Sequence, residues 1–246
     1  MRIITFLSEF GEDDWFVAAV KGAILKINPN VHIIDITHRI KPHDTSSAAF
    51  ILKSVFRNFP AGTVHLVVVD PGVGSKRKPI IVDAEPYYFI GPDNGVFSYI
   101  YNKHAKVYSI KAKGEVSATF HARDVFGPAA AQIALGNAPS SFGPEKRDYI
   151  SFEFPGLTKN DKRLYGEIVY IDHFGNLITN IPNNIDISSL NISGKEVALK
   201  NFYGEGDKGQ IICVKGSSGH YELSCNKGNA KELLGVNTGE KITAKL

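Results

Sequence analysis

Residues 64–74 read VHLVVVDPGVG, an apolar run with a single histidine that ends in a turn-forming Asp-Pro-Gly. A short, β-branched run of this kind is typical of a strand that is buried on both faces of a parallel sheet. Similar runs at residues 2–7 and 32–36 precede it, and helical patterns separate the three. Strands that alternate with helices indicate crossover connections. The first part of the chain is therefore predicted to be an α/β domain with a mainly parallel sheet.

Three helices are predicted around these strands. The first begins after Asp13 or Asp14, the second begins after Asp44 as its N-cap and runs to about Asn58, and the third covers about Asp124 to Leu135. The apolar face of the first helix carries Val17, Val20, Ile24 and Ile27.

The helical pattern stops at the polar segment between Pro155 and Arg163. Beyond it, short β-rich segments are divided by Gly, Asn and Ser turns, which indicates a small antiparallel β-barrel or sandwich. We therefore predict an N-terminal α/β domain over residues 1–157 and a C-terminal antiparallel β-barrel domain over residues 164–246.

Composition excludes several classes of function. The 28 basic and 25 acidic residues give a net charge of +3 without any long run of like charges, so no nucleic-acid or membrane partner is expected. The only cysteines, Cys213 and Cys225, are too few for a disulfide scaffold or a four-cysteine zinc site, and a cytoplasmic location is expected. The histidines form no tight ligand pair, and no phosphate-binding glycine motif is complete. We expect neither a metal nor an organic cofactor.

Polar residues that follow buried strands are the first candidates for chemistry, because ligands of open α/β sheets bind beyond the carboxyl ends of the strands. Glu9 follows the first strand and Asp70 the third, with Arg77 a few residues later. Each candidate also has an ordinary structural explanation. Asp14 suits a helix N-cap, Asp70 a turn, Arg77 a solvated surface, and His121 a loop or core position.

Several motifs, in their order along the chain, resemble those of the S-adenosyl-L-methionine hydroxide adenosyltransferase family, the hydrolytic relatives of bacterial fluorinase and chlorinase. The resemblance covers nearly the whole chain. The motifs are Ser8-Glu9-Phe10-Gly11, Asp35-Ile36-Thr37-His38 with Pro42-His43-Asp44, Asp70-Pro71-Gly72-Val73-Gly74, Gly91-Pro92-Asp93-Asn94-Gly95, Phe120-His121-Ala122-Arg123-Asp124 and Asp172-His173-Phe174-Gly175-Asn176. The resemblance implies an α/β domain followed by a β-barrel, in a homotrimer with each site between neighbouring subunits.

The implied reaction cleaves S-adenosyl-L-methionine with water to give adenosine and L-methionine. The catalytic residues of the family correspond to Asp70, Arg77 and His121. Halogenating relatives have a tyrosine at the position of Asp70, and a carboxylate there would repel a halide. The alternatives are a halogenase that uses chloride, a non-catalytic sensor of adenosine or S-adenosylmethionine, and a nucleotide-binding α/β protein of other chemistry.

The substrate-binding residues of the family also have counterparts in this chain. The resemblance implies Glu9 and Asp14 for the ribose hydroxyls, His43 near the ribose or base, Phe174 and Asn176 for the adenine, and Asp172 and Ser217 for the methionine end. Two positions depart from the family pattern. Glu9 replaces the usual aspartate, and Cys225 stands where halogenating enzymes have an arginine.

The proposed chemistry leaves two candidate proton acceptors, Asp70 and His121, because an arginine stays protonated. The charge of Arg77 favours the ionised form of Asp70 as a group that orients water. His121 is therefore the expected proton acceptor.

Overall fold

The computed structural model describes residues 3–112 and 114–246, which form two compact units, one ending at Glu153 and the other running from Phe154 to Leu246. Arg2 of the predicted first strand lies outside the described residues. Strand β7 (Thr158–Asn160) pairs with β8 (Arg163–Ile171), so the polar segment at the predicted domain boundary forms a hairpin within the second unit. Among the described residues, no helix combines the length and apolarity needed to cross a membrane.

The first unit is built on a six-stranded mixed sheet in the order β2-β1-β3-β5-β4-β6. Its strands are β1 (Ile3–Ser8), β2 (His32–Thr37), β3 (Val64–Val68), β4 (Pro79–Ala84), β5 (Tyr87–Pro92) and β6 (Lys106–Ser109). The pairs β1–β2, β1–β3 and β3–β5 are parallel, whereas β4 runs antiparallel to both β5 and β6. The predicted α/β class is confirmed.

Both faces of the sheet are covered, which explains why β3 is apolar at every position except His65. Leu66 and Val68 point into a core with helices α1 (Phe16–Ile27) and α3 (Gly127–Ala134). Val67 points to the opposite face and packs in the core with α2 (Thr45–Val55). The period of two along a strand sends successive side chains to opposite faces, and each face here requires an apolar residue.

The helices differ from their predictions at their ends. Trp15 precedes α1 without a side-chain cap, so Asp14 does not serve as the predicted N-cap. Asp44 does cap α2 by accepting a hydrogen bond from the Ser47 amide at 2.9 Å. The third predicted helix begins instead as a π-helical turn, Ala122–Phe126, before α3. Pro128 lies in the first turn of α3, where its missing N–H costs no hydrogen bond.

The second unit is an antiparallel, nearly closed sheet in the order β11-β10-β14-β8-β9-β13-β12. Its remaining strands are β9 (Leu177–Pro182), β10 (Ser189–Ile192), β11 (Lys195–Ala198), β12 (Ile211–Lys215), β13 (His220–Cys225) and β14 (Lys241–Lys245), with a short helix α4 (Ala230–Leu234). A bridge between Leu199 and Cys213 links the two ends of the strand order. The predicted barrel-like second domain is confirmed.

Candidate active site

The carboxyl ends of β1 and β3 lie side by side because the two strands are parallel neighbours, with Ser8 opposite Val68. Glu9 therefore emerges next to Asp70. One carboxylate oxygen of Glu9 accepts a hydrogen bond from the Asp70 amide at 2.7 Å, and the other accepts one from the His43 amide at 2.5 Å. Both oxygens of Glu9 thus hold backbone groups of this chain, although the sequence predicts that they bind ribose hydroxyls.

Asp70 and Arg77 form a buried ion pair at this edge of the sheet. Arg77 Nε donates to Asp70 Oδ1 at 2.8 Å, and Arg77 Nη2 donates to Asp70 Oδ2. The side chains of Asp70 and Arg77 are only 6% and 8% exposed. Bidentate geometry fixes the plane of the carboxylate, and burial limits screening by water. The explanation of Arg77 as a solvated surface residue is therefore wrong.

His121 completes the cluster through a bond of 3.0 Å between Arg77 Nη2 and its Nδ1. Because a guanidinium only donates, Nδ1 is the acceptor and the neutral ring carries its proton on Nε2. Burial, and then the charge of Arg77, lowers the pKa of His121 below its ordinary value. The only ring lone pair of neutral His121 already accepts the hydrogen bond from Arg77, so this side chain is a poor proton acceptor. This differs from the sequence-based expectation that His121 accepts the proton of water.

The π-helical turn supplies the wall behind this cluster. His121 immediately precedes the turn, and the guanidinium of Arg77 lies 5.0 Å from the ring centroid of Phe126 within it. The Gly127 amide bonds to the Ala122 carbonyl five residues back, which widens this turn of the helix. Arg77 Nη1 is buried without a hydrogen-bond partner in the described part of the chain. It is a donor available to a bound oxygen atom.

The other predicted residues of the first unit are more open. Asp14 lines a surface groove of about 510 Å³ together with Lys21 and Asp35. The side chain of His43 is 72% exposed, and its backbone has a positive φ of 70°. The Glu9 carboxylate accepts a hydrogen bond from the His43 amide, so the loop that carries His43 is bound directly to the residue that follows β1.

In the second unit, Asp172 organises a tight turn. Its Oδ1 accepts hydrogen bonds from the Phe174 amide at 2.9 Å and the Asn176 amide at 2.8 Å, while Oδ2 accepts one from Asn176 Nδ2 at 2.8 Å. Phe174 is left 72% exposed at the tip of the turn, whereas Asn176 is buried. Ser217 is exposed in the loop between β12 and β13.

The structure thus brings the predicted residues together in two groups. Glu9, the His43 backbone, Asp70, Arg77 and His121 form one continuous hydrogen-bonded set. Asp172, Phe174 and Asn176 form the other. The described part of the chain contains no group of three or more His, Cys, Asp or Glu residues arranged to hold a metal ion.

Sequence reasoning missed a polar pair beside the Asp172 turn. Glu222, only 5% exposed, accepts a hydrogen bond of 2.5 Å from the Tyr203 hydroxyl. Burial, followed by this bond and by the charges of Glu222 and Asp172, raises the pKa of Tyr203. In β13 the core-facing residues are Tyr221, Leu223 and Cys225, so Glu222 lies on the opposite face of the strand. A lone glutamate there carries no functional signal in the sequence.

Comparison with known proteins gives consistent matches. Residues 4–143 match the model of the SAM hydroxide adenosyltransferase N-terminal domain, and residues 166–243 match that of the C-terminal domain. An (R)-S-adenosyl-L-methionine hydrolase of Thermus thermophilus is 34% identical over 98% of this chain and 99% of that protein. One of Methanocaldococcus jannaschii is 35% identical over 98% and 95%. A fluorinase of Nocardia brasiliensis is 25% identical over 99% and 97%.

A solved structure of similar fold is that of an uncharacterized conserved protein from Thermotoga maritima. The two chains are 32% identical and superpose with a TM-score of 0.92. The aligned region covers 99% of this chain and 100% of the other. The similarity extends over both units of the present chain.

Proposed function

Because the chain belongs to the SAM hydroxide adenosyltransferase family, we propose that it hydrolyses S-adenosyl-L-methionine to adenosine and L-methionine. Similar hydrolases are 30–35% identical to it over nearly its whole length, and similar fluorinases only 25–28%. The observation that carries the proposal is the buried Asp70–Arg77 pair with His121 against it. This arrangement suits the placement of a water molecule.

The leaving group needs no help from an acid. In the substrate, sulfur is already a sulfonium, so the electron pair of the breaking C5′–S bond returns to sulfur and gives neutral methionine. A new O–C5′ bond forms on the opposite side, in line with the bond that breaks. Holding water in that line contributes several kcal/mol through proximity and orientation. No metal or organic cofactor is required by this chemistry.

Asp70 is the group we propose to orient the water and to receive its proton. Each of its oxygens accepts one bond from Arg77 and keeps a second lone pair. Attack by neutral water first creates a protonated 5′-hydroxyl, which is a far stronger acid than a carboxylic acid. A strong base is therefore unnecessary, and His121 Nε2–H acts as a donor that positions an oxygen atom.

The substrate-binding roles follow the family resemblance. We assign Glu9, Asp14 and His43 to the ribose, Phe174 and Asn176 to the adenine, and Asp172 and Ser217 to the methionine end. The exposed ring of Phe174 offers a flat apolar face for a base. Oδ2 of Asp172 accepts only one hydrogen bond within the turn and retains capacity for an ammonium group.

Halogenation is the main competing function. A halide that attacks C5′ would have to lie beside the Asp70 carboxylate, which pairs with the buried side chain of Arg77. Like charges at contact distance in a dry site repel strongly, so water is favoured over chloride. A non-catalytic sensor of adenosine or S-adenosylmethionine would have no need for the buried Asp70–Arg77–His121 set.

The deciding experiment incubates the purified protein with S-adenosylmethionine, with and without chloride, and separates adenosine from 5′-chloro-5′-deoxyadenosine. We expect adenosine alone in both cases, and in heavy-oxygen water the label should enter its 5′ oxygen. Chelators should leave the rate unchanged. The chlorinated nucleoside, unlabelled adenosine, or no product at all would each contradict the proposal.

We also propose that the active form is a cytoplasmic homotrimer with its sites between subunits, as the family resemblance implies. The test mixes an Asp70→Asn protein with an Asn176→Ala protein, each nearly inactive. If different subunits supply these residues, exchange should restore part of the activity. Exchange verified by mass spectrometry without any recovery would show that one chain supplies both residues.

A further inference from the structure

The motif at residues 91–95 contacts strand β3, the strand that leads to Asp70. Gly91 lies in β5 beside β3, and a Cβ atom there would be 2.3 Å from the Val67 carbonyl oxygen. Only glycine permits this approach without a shift of the backbone. The loop that follows β5 is thereby brought against the end of β3, where Asp70 begins the candidate catalytic cluster.

The peptide group that joins Val69 to Asp70 lies just beyond the sheet. The pairing of β3 with β1 ends at Val68, and its pairing with β5 ends at Leu66. Val69 is fully buried and Asp70 nearly so. A buried peptide group must satisfy both its N–H and its C=O, and the strand ladder no longer supplies partners here.

Two side chains supply them. Asn94 Nδ2 donates to the Val69 carbonyl at 2.8 Å, and Glu9 accepts from the Asp70 amide at 2.7 Å. Asn94 is itself held, because its Oδ1 accepts from the Val96 amide at 3.2 Å. Both polar groups of this peptide therefore have side-chain partners. Glu9 lies 61 positions before Asp70, and Asn94 lies 25 positions after Val69.

We propose that Glu9 and Asn94 are positioning residues that fix the Val69–Asp70 peptide and so aim the Asp70 carboxylate. Rotation of this peptide would swing the Asp70 side chain relative to Arg77, and with it the water that Asp70 orients. Glu9 acts through its two backbone contacts, to Asp70 and His43, while each of its oxygens keeps a second lone pair for a ribose hydroxyl. The inference rests on the proposed hydrolytic function of the cluster.

The first test is kinetic and uses Asn94→Ala and Asn94→Asp. We expect kcat for adenosine formation to fall roughly ten- to hundredfold with Asn94→Ala, and KM to change less than about threefold, because misplacement of a reacting group slows the chemical step. Asn94→Asp should be at least as slow although its side chain has the same size, because a carboxylate would face the Val69 carbonyl. If only the volume of the side chain at position 94 affected kcat, Asn94→Asp would lower it less than Asn94→Ala.

Thr63→Val is the matched control. Thr63 lies at the other end of the same strand segment, where its buried hydroxyl donates to the Pro60 carbonyl at 2.7 Å. Its loss removes a comparable bond from the same unit, so kcat should remain within about twofold of wild type. Equal falls in kcat for Thr63→Val and Asn94→Ala, or unchanged kcat for both Asn94 variants, would overturn the proposal.

The second test does not depend on activity. Amide hydrogen exchange by NMR should show faster exchange of the Asp70 N–H, by about tenfold or more, in Glu9→Ala, and no change in Thr63→Val. Asn94→Ala serves as the second variant if Glu9→Ala fails to fold. Unchanged exchange of the Asp70 N–H would overturn the proposal that Glu9 and Asn94 fix the Val69–Asp70 peptide. If the wild-type protein forms no adenosine but the variants show the expected exchange pattern, only the hydrolytic function is refuted.

Discussion

Asp70 and Asp172 are both carboxylates of the candidate site, but they are held in opposite ways. Asp70 is bound by the side chain of Arg77, which also contacts His121, 44 residues farther along the chain. Asp172 is bound by backbone and side-chain groups two and four residues away. The first is oriented by tertiary packing and the second by its own turn. We expect substitution at Asp70 to impair the chemical step and substitution at Asp172 to impair binding.

The largest expected effect is that of Asp70→Asn. The amide keeps the size of the side chain but cannot accept from both donors of Arg77, and it no longer receives a proton from water. We expect kcat to fall about 10- to 1,000-fold with KM nearly unchanged, measured as adenosine formed at saturating substrate. Circular dichroism checks that the fold persists. Wild-type turnover would remove Asp70 from the site.

Gly175→Ala tests how far the second region depends on its turn. Gly175 has a φ of +82°, and an added Cβ would lie 2.0 Å from Asn229 Oδ1. We expect the free energy of unfolding to drop by roughly 2–3 kcal/mol, together with weaker substrate binding. Gly194→Ala is the matched control, because Gly194 has a φ of +78° and open space around its Cβ. Equal losses in urea unfolding would show that the contact with Asn229 contributes nothing.

Asp172→Asn should have a smaller effect and a different signature. The asparagine oxygen can still accept from the Phe174 and Asn176 amides, so the turn should persist, but the negative charge for the methionine ammonium is lost. We expect KM to rise about tenfold with kcat within about threefold of wild type. A fall in kcat as large as that of Asp70→Asn would break the distinction between the two regions.

The smallest expected effect concerns pH. His121 must be neutral to accept from Arg77, and its lowered pKa keeps it neutral below the ordinary histidine value of about 6.5. We expect kcat to change less than about twofold between pH 8 and 6.5 and to fall only at lower pH, because protonation breaks the bond to Arg77. A midpoint at or above 6.5 in the kcat profile would contradict this environment for His121.

Stability must be followed in the same pH series, because the pKa of the buried His65 is shifted in the same direction as that of His121. Burial lowers the pKa of His65 to about 3, and His65 bonds to the Thr5 hydroxyl far from the cluster. Between that pKa and about 6.5 the unfolded chain binds more protons, so the free energy of unfolding falls as pH falls. His65→Gln should flatten this slope without moving the kcat profile.

The sequence by itself determined the fold class and the positions of three strands of the first unit, but it did not predict β4, β5 or β6. The period of two, the apolar runs and the turn residues are local properties, so they located β1, β2, β3 and the Asp44 cap. The motifs also indicated the family and the candidate residues Asp70, Arg77 and His121. Their contact was an expectation from resemblance, since no local pattern links residues so far apart.

Tertiary structure alone decided what each polar atom does. The resemblance implied that Glu9 binds ribose, and the parallel pairing of β1 with β3 adds a contact that the sequence did not predict, between its carboxylate and the Asp70 amide. His121 was expected to accept a proton, but Arg77 occupies its Nδ1. Asn94 belonged to a family motif without an assigned role, and only the fold showed that its side chain donates to the Val69 carbonyl. Hydrogen-bond partners depend on distances that only the folded chain sets, whereas strand and helix formation depends on neighbours already present in the sequence.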